Sequence, residues 1–489
     1  MTEDDLPDAP VTTACEAVAA VAEASRQWAA VTYSGRARVI HAIANALDTA
    51  AADLIATAQE ETNLPEARLV GELKRTTFQL RLFADVVADG TFLDARIDRP
   101  DAKWPMGAPR PDLRRMLMPI GPVLVFAASN FPFAFSVAGG DTAAALAAGN
   151  AVLVKAHSGH PRLSNATAAV VRAAGRAAGA PENLLRVIHE TENGVTALKD
   201  PRIRAASFTG SIRGGRALYD IANARPEPIP FYGELGSVNP VFVAPTAASR
   251  RASEIVDGFL GSITGSRGQL CTKPGLLLVP SASSMLAMLR DADVPNPTPM
   301  LNDRIQKGFE ADLAALATHS GVSTLLENAN NIATSPRTTL LHTTLDQVLA
   351  APEALITEVF GPAGLIVTYS DPAEVREFAR ILAGQLTATI IAESDAASDI
   401  TLAQDLLPIL TEKAGRLLWN QWPTGVSVTY AQQHGGPYPA TTAPTTTSVG
   451  TASITRFLRP VAFQNFPSTF LPDALNDGNP LGIPQIIDG

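Results

Sequence analysis

The sequence predicts an α/β fold with two doubly wound domains in series and an extended arm. From residue 117 onward, short apolar runs alternate with alanine-rich segments of helical spacing, which is the pattern of a parallel sheet covered on both faces. A second alternating series begins at 240–243, next to a turn-like segment at 244–247. The C-terminal tail breaks the alternation with a loop at 439–448 that is rich in Thr, Ala and Pro, and we interpret the tail as an arm.

The individual elements follow from the same patterns. Helical spacing predicts helices at 15–31, 36–62 and 66–87, with a break at 62–65. The first alternating series predicts strands at 123–127, 152–155, 184–188, 205–208 and 228–232, and helices at 137–147, 166–178 and 214–224. The second series predicts strands at 240–243, 276–279, 365–369 and 387–392, and helices at 253–263 and 304–318. In the tail, residues 459–463 are predicted to be extended.

Composition limits the classes of function. With 489 residues, 46% hydrophobic and 18% charged, the chain has the composition of a globular protein of two or three domains. The net charge of −10 argues against nucleic acid or an anionic membrane surface as a partner. The two cysteines favour a reducing compartment over a disulfide framework. The acidic N-terminus does not resemble a signal peptide and no apolar run is long enough to span a membrane, so we expect a cytoplasmic protein.

The segment around Cys271 is the first candidate for chemistry. Gly268-Gln269-Leu270-Cys271 is followed by Pro274-Gly275 and an apolar strand, so the thiol is predicted to lie on a loop at a strand entrance. A thiolate there would be a strong nucleophile. A buried structural cysteine is the alternative, and this segment alone does not decide between them.

Two further polar groups follow predicted strands. Glu234 lies between Gly233 and Gly236 after the strand at 228–232, and Asn130 follows the strand at 123–127. Ligands bind at the carboxyl edge of a parallel sheet, so the carboxylate could act as a base and the amide could stabilise an oxyanion. A solvent-facing loop carboxylate and a turn asparagine are the alternatives.

Several segments are candidates for cofactor binding. Lys155 ends a buried-looking strand, and the stretch from Ser207 to Gly215 reads as a strand, a turn of small residues and a helix start, which can present N–H groups to a phosphate. This stretch lacks a clean G-x-G-x-x-G motif. The segments 358–362 and 433–437 complete the set, and each alone could be a turn.

Together, in this order and spacing, these segments resemble the aldehyde dehydrogenase superfamily over nearly the whole chain. The anchors are Ser129-Asn130-Phe131-Pro132, Lys155, Phe208-Thr209-Gly210-Ser211 with Gly215, Glu234-Leu235-Gly236, Gly268-Gln269-x-Cys271 and Glu358-x-Phe360-Gly361-Pro362. A narrower resemblance, to the α-ketoglutarate semialdehyde (2,5-dioxovalerate) dehydrogenases and their NADP-dependent relatives, rests on the segments 126–132, 138–142, 155–161, 434–440 and 456–465.

The resemblance implies a mechanism and a domain organisation. Cys271 would attack the aldehyde, Asn130 and the Cys271 N–H would hold the oxyanion, and Glu234 would activate water to hydrolyse the thioester. The implied domains are cofactor-binding at 1–110 and 120–245, catalytic at 246–440, and an oligomerisation arm at 111–119 and 441–489. The arm implies a homodimer or homotetramer.

The resemblance also implies how the cofactor is held. Lys155 would bind the adenosine ribose, Gly210 and Ser211 would lie near the pyrophosphate, and Gly215 would permit a close helix approach. Glu358 would grip the nicotinamide ribose, with Phe360 packed nearby.

Ser158 bears on the choice of cofactor. Many NAD-specific relatives carry a glutamate three residues after the lysine, where a carboxylate would repel a 2′-phosphate and a serine would not. We therefore expect NADP as the cofactor, with NAD also accepted. We expect no metal ion in the site.

Three residues around the nucleophile are left with open roles. His434 could act as a second base or proton carrier, or only shape the pocket. Arg267 departs from the small or aliphatic residue expected before the nucleophile, and it could bind a substrate carboxylate or pair within its loop. Phe131 is a further candidate for substrate binding.

The function expected from the resemblance is NAD(P)-dependent oxidation of a small-molecule aldehyde, with α-ketoglutarate semialdehyde as the substrate. A broad-specificity aliphatic aldehyde dehydrogenase is the alternative within the family. A CoA-acylating enzyme is disfavoured by Glu234. A cysteine-dependent thiol hydrolase using Cys271 and His434 is disfavoured by the cofactor segments, and a silent binding protein by the complete catalytic set.

Overall fold

The computed structural model describes residues 13–296, 298–328 and 335–489. The acidic residues 1–10, on which the signal-peptide interpretation rests, lie outside the described residues. Four helices come first: α1 Ala14–Ala29, α2 Tyr33–Thr49, α3 Ala51–Thr62 and α4 Glu66–Asp89. The helix predicted at 36–62 is divided at Ala50, whose ψ of 7° leaves the helical region. The predicted break after Thr62 is confirmed, because Asn63 adopts a left-handed conformation (φ 55°) before Pro65.

The first alternating series forms a parallel sheet of five strands. After β1 Ala95–Asp98 and β2 Leu113–Pro119, its strands are β3 Val123–Phe126, β4 Val152–Lys155, β5 Leu185–Ile188, β6 Ala205–Thr209 and β7 Phe231–Glu234. The helices between them are α5 Gly140–Ala148, α6 Pro161–Ala177, α7 Thr191–Lys199 and α8 Ile212–Asn223. The strand order β5-β4-β3-β6-β7 reverses direction at β3, and ligands bind where the order reverses in sheets of this kind.

The second series forms a sheet of seven strands in the order β10-β11-β12-β9-β8-β13-β14. The strands are β8 Val241–Val243, β9 Leu276–Pro280, β10 Ser323–Glu327, β11 Thr339–Thr344, β12 Ala363–Tyr369, β13 Gln385–Ile391 and β14 Ala414–Trp419. The helices are α9 Pro245–Arg250, α10 Ala252–Thr264, α11 Met285–Arg290, α12 Asp303–Ala317, α13 Leu345–Ala350, α14 Pro352–Leu355, α15 Pro372–Ile381 and α16 Ala397–Lys413. Only β10 pairs antiparallel.

The arm is built from strands that lie far apart in the sequence. β15 Leu458–Gln464 pairs antiparallel with all seven residues of β2, and β16 Gln485–Ile487 pairs with β1. Together they make a four-stranded sheet in the order β15-β2-β1-β16. The tail before β15 has a different position: Thr441 forms a β-bridge with Glu234, and residues 441–448 pack against β7.

Separate apolar cores lie on either side of residue 240. One core joins the N-terminal helices to the five-stranded sheet, and Trp28 in it donates from Nε1 to the Leu146 carbonyl (2.9 Å). Two other cores cover the two faces of the seven-stranded sheet.

The position of β8 bears on the domain boundary. Since β8 belongs to the seven-stranded sheet, its position favours a boundary slightly before residue 241 rather than at 245. The domain division remains a proposal.

Among the helices of the described residues, none alone is long and apolar enough to cross a membrane. Helices α2 and α3 are together long and apolar enough to span a membrane, but the chain bends by 68° where they join.

Candidate active site

The predicted nucleophile, amide and carboxylate meet between the five-stranded and the seven-stranded sheet. Asn130 follows β3, Glu234 is the last residue of β7, and Cys271 precedes β9. The Asn130 Nδ2 donates to the Gln269 carbonyl (3.0 Å), two residues before the thiol. Asn130 and Glu234 are buried and Cys271 is half-buried, so the thiol is the most accessible of the three.

The loop that carries Cys271 is held by unusual backbone geometry. Ser266, Arg267 and Gly268 all have positive φ values, between 50° and 64°. A Cβ at Gly268 would lie 2.1 Å from the Gly361 carbonyl oxygen, so only glycine fits there. Asn239 also fixes the loop, because its Nδ2 donates to the carbonyls of Cys271 (2.8 Å) and Lys273 (2.9 Å). Asn239 could not be identified from the sequence, since a buried amide has no local pattern.

His434 lies between the nucleophile and the carboxylate. Its Nε2 is 3.6 Å from the Cys271 Sγ and 2.8 Å from the Glu234 Oε1, and its ring is buried. Its backbone N–H donates to the Thr447 Oγ1 (2.9 Å). Ser448 donates from Oγ to the Glu234 Oε2 in a short hydrogen bond. His434 therefore contacts both the predicted nucleophile and the predicted base, and Ser448 is a contact of Glu234 that could not be identified from the sequence.

The electrostatics favour an ion pair between Glu234 and His434. Burial alone would raise the pKa of Glu234, but the charge of His434 and the hydrogen bonds from His434 and Ser448 lower it overall. Burial alone would lower the pKa of His434, but Glu234 and Cys271 raise it overall. A cavity of about 10 Å³ lies beside the pair, lined by Glu234, His434 and Ser448, which is near the minimum for one water molecule.

The same three chemical groups could in principle hold a metal. One ligand atom from each of Glu234, Cys271 and His434 lies within 4.8 Å of the others. A metal there would occupy the atoms that the expected reaction needs as nucleophile and base. The absence of a metal cofactor therefore stays a prediction.

The residues predicted to hold the pyrophosphate lie where β6 meets α8. The Ser211 Oγ caps α8 by accepting from the Gly214 N–H (3.2 Å), and the Gly210 N–H donates to the Glu234 carbonyl (3.0 Å). A Cβ at Gly215 would lie 2.1 Å from the Leu235 side chain. This contact explains the glycine, because helix α8 packs directly against the segment that carries Glu234.

Glu358 reaches the same region from the other sheet. A Cβ at Gly236 would lie 2.2 Å from the Glu358 Oε2, so the carboxylate rests on the backbone two residues after Glu234. Burial raises the pKa of Glu358 to about 7, against the charge of Lys273 and a hydrogen bond from the Ser237 backbone. Lys273 holds this loop by donating from Nζ to the carbonyls of Val359 and Ala363, both at 2.7 Å. Phe360 is half-buried in the same loop.

Lys155 and Ser158 lie on the loop after β4. Lys155 is half-buried and Ser158 is exposed. Burial and the nearby charge of Arg304 lower the pKa of Lys155, and burial, His160, Lys155 and Arg304 lower that of His157 to about 3. Arg304, near the start of α12, was not identified from the sequence because it comes from the other alternating series.

Arg267 and Phe131 flank the catalytic loop. Arg267 donates from Nε to the Thr298 Oγ1 (2.6 Å) and from Nη2 to the Asn63 carbonyl (2.8 Å), so it binds two other segments of the chain rather than its own loop. Phe131 packs edge to face on Phe135 (5.4 Å between ring centres), with Arg68 over its ring at 4.9 Å.

Comparison with known proteins agrees with this geometry. Residues 4–437 match the model of the aldehyde dehydrogenase family. An α-ketoglutaric semialdehyde dehydrogenase of Acinetobacter baylyi is 41% identical, covering 97% of this chain and 90% of its own length. A second protein of that name, from Azospirillum brasilense, is 44% identical, covering 98% and 91%. The crystal structure of 1-pyrroline-5-carboxylate dehydrogenase from Thermus with bound NAD superposes with a TM-score of 0.74 at 19% identity, covering 92% and 85%.

Proposed function

This chain belongs to the aldehyde dehydrogenase family, and on that premise we propose that it oxidises α-ketoglutarate semialdehyde to α-ketoglutarate with NADP⁺ or NAD⁺. In the balanced reaction, aldehyde, oxidised cofactor and water give carboxylate, reduced cofactor and two protons. The observation that carries the chemistry is the convergence of Cys271, Glu234 and Asn130 between the two sheets. The substrate rests on the two relatives at 41% and 44% identity.

The residues around the cofactor site fit a dinucleotide. Gly210, Ser211 and Gly215 form a small-residue turn at the start of α8, which suits a pyrophosphate. Among residues 13–296, 298–328 and 335–489, Lys155 and Arg304 have no carboxylate within ion-pair distance, so both charges are available to an anion. When bound, the cofactor accepts the hydride from the substrate carbon.

In the first chemical step, the Cys271 Sγ forms a bond to the aldehyde carbon. The carbonyl oxygen becomes an oxyanion, and we assign its stabilisation to the Asn130 amide and the Cys271 N–H. The Asn130 Nδ2 has two hydrogens, and the Gln269 carbonyl accepts only one of them. The second hydrogen is therefore free to point at the oxyanion.

In the second step, hydride loss leaves a thioester on Cys271, and water must displace the sulfur. Glu234 takes the proton from that water as it attacks the acyl carbon, and the Cys271 thiolate leaves. Because its pKa is lowered, Glu234 is ionised at neutral pH and ready to accept a proton. Glu234 also distinguishes this reaction from acyl transfer to CoA, which needs no water.

The substrate is tested with a panel of aldehydes read by NADPH formation. The panel compares α-ketoglutarate semialdehyde, succinate semialdehyde and pentanal. We expect the highest kcat/KM with the first. A preference for pentanal would overturn the proposed substrate and favour the broad aliphatic alternative.

A thiol hydrolase is the second candidate, and the 3.6 Å contact between Cys271 and His434 is the observation that favours it. Ester hydrolysis that is fast without cofactor, with no aldehyde oxidation when cofactor is added, would support this reading. Family membership favours the dehydrogenase.

We propose that His434 keeps Glu234 ionised. Replacing His434 with Gln removes the charge that most lowers the pKa of Glu234 and leaves burial, which raises it. Since Glu234 acts only when ionised, the acidic limb of the kcat profile is expected to move to higher pH, by about 1–3 units. His41→Gln, at a half-buried position on α2, is the control. An unchanged acidic limb would show that His434 only shapes the pocket.

We propose that NADP is the cofactor and that NAD is also accepted, and that Ser158 sets this choice. Ser158→Glu is expected to lower kcat/KM for NADP by about 10- to 100-fold and to leave that for NAD similar, because the carboxylate repels the 2′-phosphate. Ser158→Ala, which adds no charge, should keep the preference of the unchanged protein. Equal NADP kinetics in the Glu and Ala variants would contradict this role.

We propose that the chain assembles as a homodimer or homotetramer through the four-stranded arm sheet. Phe466 and Phe470 beside it are exposed in the single chain, and β15 has one unpaired edge. A monomeric mass by light scattering would refute this.

We also propose a cytoplasmic location. Two free cysteines support it, because a reducing compartment keeps thiols unpaired, and cell fractionation would test it.

A further inference from the structure

Helix α4 carries a stripe of polar side chains toward the active site. Arg68, Glu72, Arg75 and Gln79 are spaced by four, three and four residues, so they share one face of the helix. Glu72 and Gln79 are buried, and Arg68 and Arg75 are half-buried. A stripe of this kind on a core-facing side needs partners, since unpaired buried polar groups are costly.

One end of the stripe contacts Asn130, and the other end lies near a residue that contacts Glu234. At one end, Arg68 donates from Nη2 to the Asn130 carbonyl. At the other end, Gln79 packs beside Gly140: a Cβ at Gly140 would lie 2.8 Å from the Gln79 Nε2 and 3.5 Å from the Ser448 carbonyl oxygen. The Ser448 side chain in turn donates a hydrogen bond to Glu234. Arg75 lies between these ends on the same face of the helix, close enough for the charges of Cys271 and Glu234 to act on its pKa.

The stripe has hydrogen-bonding capacity that the described part of the chain does not use. The Arg68 Nη1, Arg75 Nη1 and Gln79 Nε2 are buried there without a partner. Glu72 forms no close ion pair with Arg68 or Arg75. Its Oε1 instead accepts hydrogen bonds from the backbone N–H groups of Phe133 (2.8 Å) and Ala134 (2.9 Å). Its nearest contact to Arg68 is 4.0 Å.

Arg75 differs from Arg456, another arginine near the site. Arg456 is paired with Asp141, but within the described ranges Arg75 has no carboxylate at ion-pair distance and lies over the Phe135 ring at 5.4 Å. Burial lowers its pKa, opposed by the charges of Glu72, Cys271 and Glu234. A guanidinium stays charged under these conditions, so it presents an unpaired cation to the pocket.

Arg267 is less suited to bind an anion in the same place. Two of its nitrogens are already bound to Thr298 and to the Asn63 carbonyl. Its positive charge adds to that of Arg68, which lies close enough to lower the pKa of Arg267. The region therefore holds three guanidinium groups against the carboxylate of Glu72, and Glu234 is a second negative charge that acts on Arg75.

We propose that Arg75, with Arg68 beside it, binds the carboxylate of an acidic aldehyde whose carbonyl is at Cys271. This proposal rests on the proposed function and names the residue that selects its substrate class. A planar guanidinium can donate two parallel hydrogen bonds to a carboxylate. Phe131 and Phe135, which pack on these arginines, would line the apolar part of the chain between the two ends of the substrate.

The test compares Arg75→Met with Arg75→Lys and with the control Arg81→Met. Arg81 lies on the same helix but pairs with Asp48, away from the site. We expect Arg75→Met to lower kcat/KM for α-ketoglutarate semialdehyde by about 10- to 100-fold and to change that for pentanal by less than about threefold. Arg75→Lys should fall between, since it keeps the charge but loses the fork. Competitive inhibition by glutarate should weaken in the same order.

The outcomes separate this proposal from the proposed function. If the unchanged protein prefers pentanal, the proposed substrate fails. If it prefers the acidic aldehyde but Arg75→Met keeps that preference, only the role of Arg75 is overturned. Equal loss toward both aldehydes, with Arg75→Lys no better, also overturns it, because a structural role would affect both.

Discussion

Replacing Cys271 with Ala is expected to abolish aldehyde oxidation, with kcat falling by about 10⁴-fold or more. Among side chains a thiolate is the nucleophile best suited to neutral pH, and nothing else in the described site takes its place next to Asn130. Binding of NADP should be retained, because the residues that we assign to the cofactor are Lys155 and those at the start of α8. Steady-state rates and a fluorescence titration with NADPH measure the two effects separately.

The chain provides its own control for this experiment. Cys15 is the only other cysteine and lies exposed on α1, far in sequence from the site. Cys15→Ala should therefore keep full activity and should still lose it on treatment with iodoacetamide. If Cys271→Ala retained substantial oxidation while Cys15→Ala lost it, the assignment of the nucleophile would be wrong.

Replacing Glu234 with Gln is expected to stop the reaction after one turnover. Cys271 and Asn130 are unchanged, so the thioester forms, but no carboxylate takes the proton from water. We expect a burst of about one equivalent of NADPH per chain, followed by a steady rate that is lower by about 10²–10⁴-fold. Rapid mixing with absorbance detection resolves the burst from the steady phase.

An exposed glutamate serves as the matched control. Glu227 lies in the same part of the chain and pairs with Arg204 at the surface, so Glu227→Gln should behave like the unchanged protein. A steady rate that is equally low but has no burst would place Glu234 before the thioester and contradict its role as the hydrolytic base.

The alternation of strands and helices could be predicted because it is local. β4 is observed as predicted, at Val152–Lys155, and the helix predicted at 166–178 begins earlier because Pro161 suits a first helical turn. β7 is displaced to Phe231–Glu234 from the predicted 228–232. Prolines at 228 and 230 cannot donate to the ladder, whereas Gly233 and Glu234 pair with β6.

What the sequence did not predict depends on contacts between distant residues. β1, β2, β15 and β16 form one sheet although the last two follow the first two by more than 300 residues, and no local pattern names such partners. β10, β11 and β14 were not predicted either, since their mixed polar composition lacks a clear apolar run. The part of the tail before β15 does not pair with the four-stranded sheet at these positions; instead Thr441 and Ser448 contact Glu234.

The site shows the same division. Cys271, Glu234 and Asn130 could be selected because each follows or precedes a predicted strand at a sheet edge. The contact between Cys271 and His434, which are 163 residues apart, required the structure. The role proposed for Arg75 could not be predicted, because the sequence indicates only a helix at 66–87. An arginine at a core-facing position cannot be distinguished from a surface arginine without the structure around it.

The most direct test of the account is the mass of the peptide that contains Cys271 in Glu234→Gln. The variant is mixed with α-ketoglutarate semialdehyde and NADP⁺, quenched in acid after the burst, digested and analysed by mass spectrometry. We predict an acyl group on Cys271, in an amount equal to the NADPH formed and removable by hydroxylamine. NADPH formation with an unmodified Cys271 peptide, or an acyl group on another residue, would contradict a thioester that waits for water activated by Glu234.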